Sequence, residues 1–201
     1  MNLCEYLSEA LVIGNGPALP CPALAGLDRL GIHCRWADAD EDFGARRQLA
    51  QATAQAELSG APGLLLLSAE LPADAAFGRQ DDSLIEGLES SAWELLYLAH
   101  DEGRLDTAST QRPLWLHCDS PPAGVRALGL SLPLLRRVLA QTLDLGPHAS
   151  LRAGHWLGLL GWQASRLCKD GSAFAKWPAR VRAGYPADRA AHCAAHRGAQ
   201  G

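Results

Sequence analysis

The chain has 201 residues, is 48% hydrophobic and 20% charged, and carries 18 Lys+Arg against 22 Asp+Glu for a formal net charge of -4, the composition of one globular domain with a core of its own. That balance offers no basic surface in bulk to nucleic acid or an anionic membrane, and no apolar run approaches the roughly 18–20 residues that span a bilayer. Met1 to Ser8 contains Glu5 and no basic residue, so no anchor or signal peptide is expected there, and six cysteines without a C-x-x-C pair suit reduced thiols in a cytoplasmic protein.

Ala10 to Gly14 (ALVIG) is a short unbroken apolar run delivered into Gly14-Asn15-Gly16-Pro17, which reads as a buried strand and its turn. From Pro22 to Leu30 the residues Leu24, Leu27 and Leu30 recur at helical spacing, and Gly31 stops the helix. Ile32 to Ala37 predicts a second strand, ending at Asp38, Asp40, Glu41 and Asp42. Gly44 to Leu58 is built from strong helix formers and closes on Ser59-Gly60-Ala61-Pro62. Gly63 to Ser68 (GLLLLS) is the most apolar run of the chain, as a central strand covered on both faces must be. Glu70 to Asp82, rich in Pro, Gly and Asp, predicts a loop.

Leu84, Leu88, Trp93, Leu96 and Tyr97 recur at three- to five-residue intervals, which predicts an amphipathic helix over Ser83 to His100. A polar loop to Gln111 leads to a strand over Pro113 to His117 and then to Cys118-Asp119-Ser120-Pro121-Pro122. Leu130 to Leu143 predicts a helix with Leu134, Leu135, Val138 and Leu139 inward, and His148 to Ala153 one more strand. Trp156, Leu159, Leu160 and Leu167 keep helical spacing, interrupted by Gly154, Gly158 and Gly161, and Cys193 to Gly201 reads as a fraying end. Strands alternating with helices imply a three-layer, Rossmann-like α/β fold, with a mostly parallel central sheet flanked by helices. It is expected as a single domain over 1–201, with its core in about 10–154 and a helical and irregular extension over 155–201.

Strand, glycine-containing turn, helix, strand and acidic end from Ala10 to Asp40 together resemble the nucleotide-binding opening of the short-chain dehydrogenases. Leu64 to Ala69 (LLLLSA) is similar to that family's fourth strand and Asn-Asn-Ala-Gly turn, and Pro113 to Ser120 to its fifth strand, which delivers a catalytic serine. Leu134 to Gly154 is similar to the helix, strand and Pro-Gly turn that close the cofactor site. The resemblance implies a vestigial cofactor site at Gly14, Asn15, Gly16, Asp38 and Ser68. It also implies what has been lost. The family's three turn glycines fall at Gly14, Ala18 and Pro20; a methyl at Ala18 crowds a pyrophosphate, and Pro20 removes an amide near a helix start that would bind the anion. The tyrosines are Tyr6, Tyr97 and Tyr185 and the lysines Lys169 and Lys176, so the Tyr-x-x-x-Lys pair that moves the family's proton is missing. A fold stripped in this way also resembles the structural, non-catalytic half of polyketide synthase ketoreductases.

Cys118, Asp119 and Ser120 follow a strand at the edge where α/β sheets hold ligands, and are candidate pocket residues. A thiol nucleophile at Cys118 needs a base; His117, its neighbour in an extended strand, points to the other face, and the competing reading is a small buried thiol. His192, Cys193 and His196 place two imidazoles four residues apart, half of a zinc site without a second half, so no metal is expected. Asp38, Asp40, Glu41 and Asp42 are either the acid on a ribose or the cap and first turn of the next helix; the cap is favoured. The six tryptophans read as core, with Trp156, Trp162 and Trp177 as alternative anchors for a partner.

The expectation is a non-catalytic, short-chain-dehydrogenase-like domain that binds an unknown small molecule or protein, with no catalytic residues and no cofactor. The alternative is an NAD(P)-dependent oxidoreductase with an atypical active site. A receiver-like domain is disfavoured, since Ser68 and Ala69 stand where a phospho-acceptor carboxylate would follow the central strand. A homodimer through Ser83 to His100 and Leu130 to Leu143 would cover apolar residues beyond a single stripe.

Overall fold

A computed structural model describes residues 7–14, 27, 31–38, 42–70, 93–100, 114–118, 120–141 and 153–177. In chain order they form β1 (Glu9–Gly14), β2 (His33–Asp38), α1 (Asp42–Ser59), β3 (Gly63–Ser68), β4 (Leu95–Ala99), β5 (Leu114–His117), β6 (Ala127–Ser131), α2 (Leu132–Ala140), α3 (Ala153–Leu167) and β7 (Ala173–Trp177). The seven strands make one sheet in the order β2-β1-β3-β6-β4-β7-β5.

The α/β class expected from the sequence holds, but the sheet is mixed, not mostly parallel. β1 pairs parallel with β2 and β3, and β4 with β7. β6 lies antiparallel between β3 and β4, and β5 antiparallel beside β7. β1, β2, β3, β4 and β7 therefore run one way and β5 and β6 the other. This differs from the dinucleotide-binding arrangement, whose strands follow a parallel 3-2-1-4-5-6 order.

Two elements account for the difference. Of the helix expected over Ser83 to His100, residues 83–92 lie outside the described residues and the end is instead a strand at Leu95–Ala99, buried at every residue; a run of LLYLA is apolar on both faces, where helical and strand periods cannot be told apart. The helix expected from Leu130 begins at Leu132, and the residues before it form β6, also buried throughout. The dimer surface expected on a helix over Ser83 to His100 has no counterpart at Leu95–Ala99, which are interior sheet residues.

α1, α2 and α3 pack on one face of the sheet. Leu49 and Ala52 from α1, Leu134, Leu135 and Val138 from α2, and Trp156, Leu157, Leu160 and Ala164 from α3 cover Leu11, Ile13, Leu64, Leu66, Tyr97, Leu128 and Leu130. The alternate strand residues, Ala10, Val12, Leu65, Leu67, Leu96, Leu98 and Ala127, form a second cluster with Leu7, Leu27 and Ile32, as the two-residue period of a strand requires. Leu27 is helical; the rest of the helix expected over Pro22 to Leu30, the loop after Glu70, the start of the strand at His148 and the tail from Cys193 lie outside the described residues.

The helix ends are tied down locally. α1 closes on Gly60 at φ 72, with Gly60 N–H donating to Glu57 O at 3.2 Å and Ala61 N–H to Ala56 O at 2.9 Å, the paired bonds of a Schellman stop. α2 opens on Ser131, whose hydroxyl accepts from Leu134 N–H, with Pro133 in the first turn. Its far end is capped from α1, where Arg46 Nη2 donates to Leu139 O at 3.0 Å and Gln141 O at 2.9 Å. The segment set apart in the sequence as an extension supplies α3 and β7, and β7 joins β4 to β5; Ala153, placed in a strand by the sequence, opens α3.

Candidate functional site

The strand directions sort the chemistry-bearing residues onto two edges. The ends of β1, β2, β3 and β4 and the start of β6 share the carboxyl edge, which holds Gly14, Asp38, Ser68, Glu70, His100 and Arg126. The amino edge holds the end of β5 and the start of β7, with Cys118, Glu94 and Ser172. Of the sequence candidates, Gly14, Asp38 and Ser68 come together: Gly14 is the register partner of Asp38, and Ile13 that of Ser68. Cys118 and Ser120 do not join them, because β5 runs against β4 and delivers its end to the amino edge, not the carboxyl edge expected from the sequence. Asn15, Gly16, Asp119, His192, Cys193 and His196 lie outside the described residues.

At the carboxyl edge β1 has β2 on one side and β3 on the other, so the chain leaves β1 in one direction and later returns on its other side. Open α/β sheets place ligands at such a switch point; the connections that follow Gly14 and Glu70 lie outside the described residues. Gly14 ends β1 under the Trp36 ring: a Cβ there would overlap the Trp36 indole and lie 3.1 Å from Ala69 Cβ. The close approach of Trp36 thus explains Gly14 by contact, without invoking a phosphate. Trp36 and Asp38 are two residues apart on β2 and share a face.

On the β3 side the chain turns through Ala69 and Glu70. Ala69 N–H donates to Ile13 O at 2.8 Å and Ser68 N–H to Arg126 O at 2.9 Å. Ser68 is fully buried, and its hydroxyl accepts from Glu70 N–H at 3.3 Å. Arg126 N–H donates to Ala99 O at 2.8 Å, so the Arg126 backbone is bonded on both flanks, to β3 and to the end of β4. Its Nη1 meets Glu70 Oε2 at 2.9 Å, with the arginine side chain 18% and the glutamate 51% exposed. His100, beside it after β4, is buried.

The amino edge centres on Glu94, whose side chain is 9% exposed and whose Oε1 lies 2.7 Å from Arg137 Nη2. Oε2 accepts from Lys169 N–H at 2.7 Å and from Ser172 Oγ–H at 3.2 Å. Burial pushes its carboxyl up, but the Lys169 amide, Arg137 and Ser172 outweigh it and hold the pKa below the usual glutamate value. Burial first, then the Glu94 charge, raises Cys168 to about 11. Burial also raises Tyr97 far above its ordinary range; its hydroxyl donates to Gly161 O at 3.0 Å, so it is a packing residue in a dry core. Cys118 packs against the helix-side cluster and its thiol donates to Ser120 O at 2.7 Å. His117 lies edge-on to Phe174, with ring centroids 6.1 Å apart, on the other face as strand alternation requires. His117 and Cys118 therefore do not face each other across β5.

Among the described residues no group of three or more His, Cys, Asp or Glu is placed to hold a metal ion, and no helix is long and apolar enough to cross a membrane. Asp42 opens α1, in keeping with the first-turn reading of the acidic run. Trp156 is core at 1% exposed and Trp162 is 52% exposed, with Arg166 stacked 4.8 Å from its ring centroid. Sequence reasoning missed Arg126 and Glu70, which are 56 residues apart and in no motif.

No family model matches the chain, and no curated protein matches it. Among solved structures, one described as the crystal structure of A197 from STIV overlays with a TM-score of 0.45 at 9% identity, covering 84% of this chain and 81% of that one.

Proposed function

We propose that this chain is a small-molecule binding domain, lacking the tyrosine–lysine proton-transfer pair of the dehydrogenases, that takes a ligand of mononucleotide size at the switch point between the carboxyl ends of β1 and β3. The observation that carries the reading is the convergence of Gly14, Asp38 and Ser68 on three adjacent strand ends at that switch point, with the Trp36 indole over Gly14. A mononucleotide suits the site better than a dinucleotide. The parallel run ends at β3, where β6 pairs antiparallel, so the second parallel half that would cradle another nucleotide is replaced by a strand of opposite direction.

Thermal-shift and NMR titrations with nucleoside monophosphates, FMN and NADH test it. Saturable binding of a mononucleotide, with Trp36→Phe altering the accompanying change in tryptophan fluorescence, is the expected result. No saturable binding up to millimolar ligand would sink the reading. Tighter binding of NADH than of every mononucleotide would replace it with the dinucleotide-dependent oxidoreductase alternative.

A further inference from the structure

We draw no further inference here: the strongest candidate, the surface patch on the outward face of α3 where Trp162 is 52% exposed with Arg166 stacked on its ring, is a helix face for which nothing in the structure shows what covers it.

Discussion

Removing the charge of Glu94 should loosen the amino edge of the sheet. The carboxylate joins α2, through Arg137 at 2.7 Å, to the turn between α3 and β7, through the Lys169 amide at 2.7 Å and the Ser172 hydroxyl at 3.2 Å. Glu94→Gln keeps the shape and one carbonyl oxygen for Lys169 N–H, but loses the ion pair and the charge-assisted character of the remaining bonds. Hydrogen bonds to charged groups contribute about 1.5–3 kcal/mol; Arg137 is 36% exposed and recovers part of its loss in water, so about 2 kcal/mol is expected. For a chain of this size that lowers Tm by about 4–8 °C. Glu94→Ala also strands the Lys169 amide and should cost about 3–5 kcal/mol. The effect has a pH signature. The folded pKa lies below the unfolded one, so the contribution is present in full above the unfolded value and is lost as pH falls through the folded value. Urea unfolding of wild type and Glu94→Gln should therefore differ most near neutrality and converge only once the pH has fallen below the usual glutamate range and through the lowered folded value. Equal midpoints at pH 7, within about 0.5 kcal/mol, would refute the account of this network.

Three further outcomes follow from single contacts. Gly60→Ala meets no atom within 4 Å but inherits φ +72, so it should destabilise by about 1–2 kcal/mol in denaturant melts, from backbone strain alone. Cys168, raised to about 11, holds roughly one thiolate in a thousand at pH 8. Its alkylation by iodoacetamide, followed by peptide mass mapping, should be roughly a hundredfold slower folded than in urea. Tyr97→Phe removes the buried bond to Gly161 O and should cost about 1–1.5 kcal/mol by the same melts.

Most of the elements were legible because their signals are local. GLLLLS has turn residues on both sides and is too short for a helix, so length rather than period marks it as a buried strand, and β3 spans the same residues in the structure. The α1 helix and its stop at Gly60 follow from helix formers ending at the one residue type that takes φ > 0 without cost. The illegible elements failed for a stated reason: LLYLA and ALGLS are apolar on both faces, and a continuous apolar run carries no period. Reading Leu95–Ala99 as helix removed a central strand, which made the rest look parallel.

What the sequence determined by itself was the class of fold, the first three strands, α1, the helical spacing of the tail, and the absence of a Tyr-x-x-x-Lys pair, all properties of neighbouring residues. Strand order and direction belong to tertiary structure, because they depend on which apolar faces bury one another across long separations. Direction decided which residues share an edge. An antiparallel β6 brings Arg126 to the carboxyl edge beside Ser68 and Glu70, and an antiparallel β5 takes Cys118 to the opposite one. Side chains that meet across 56 residues leave no periodic trace in a chain, so only the folded sheet reveals them.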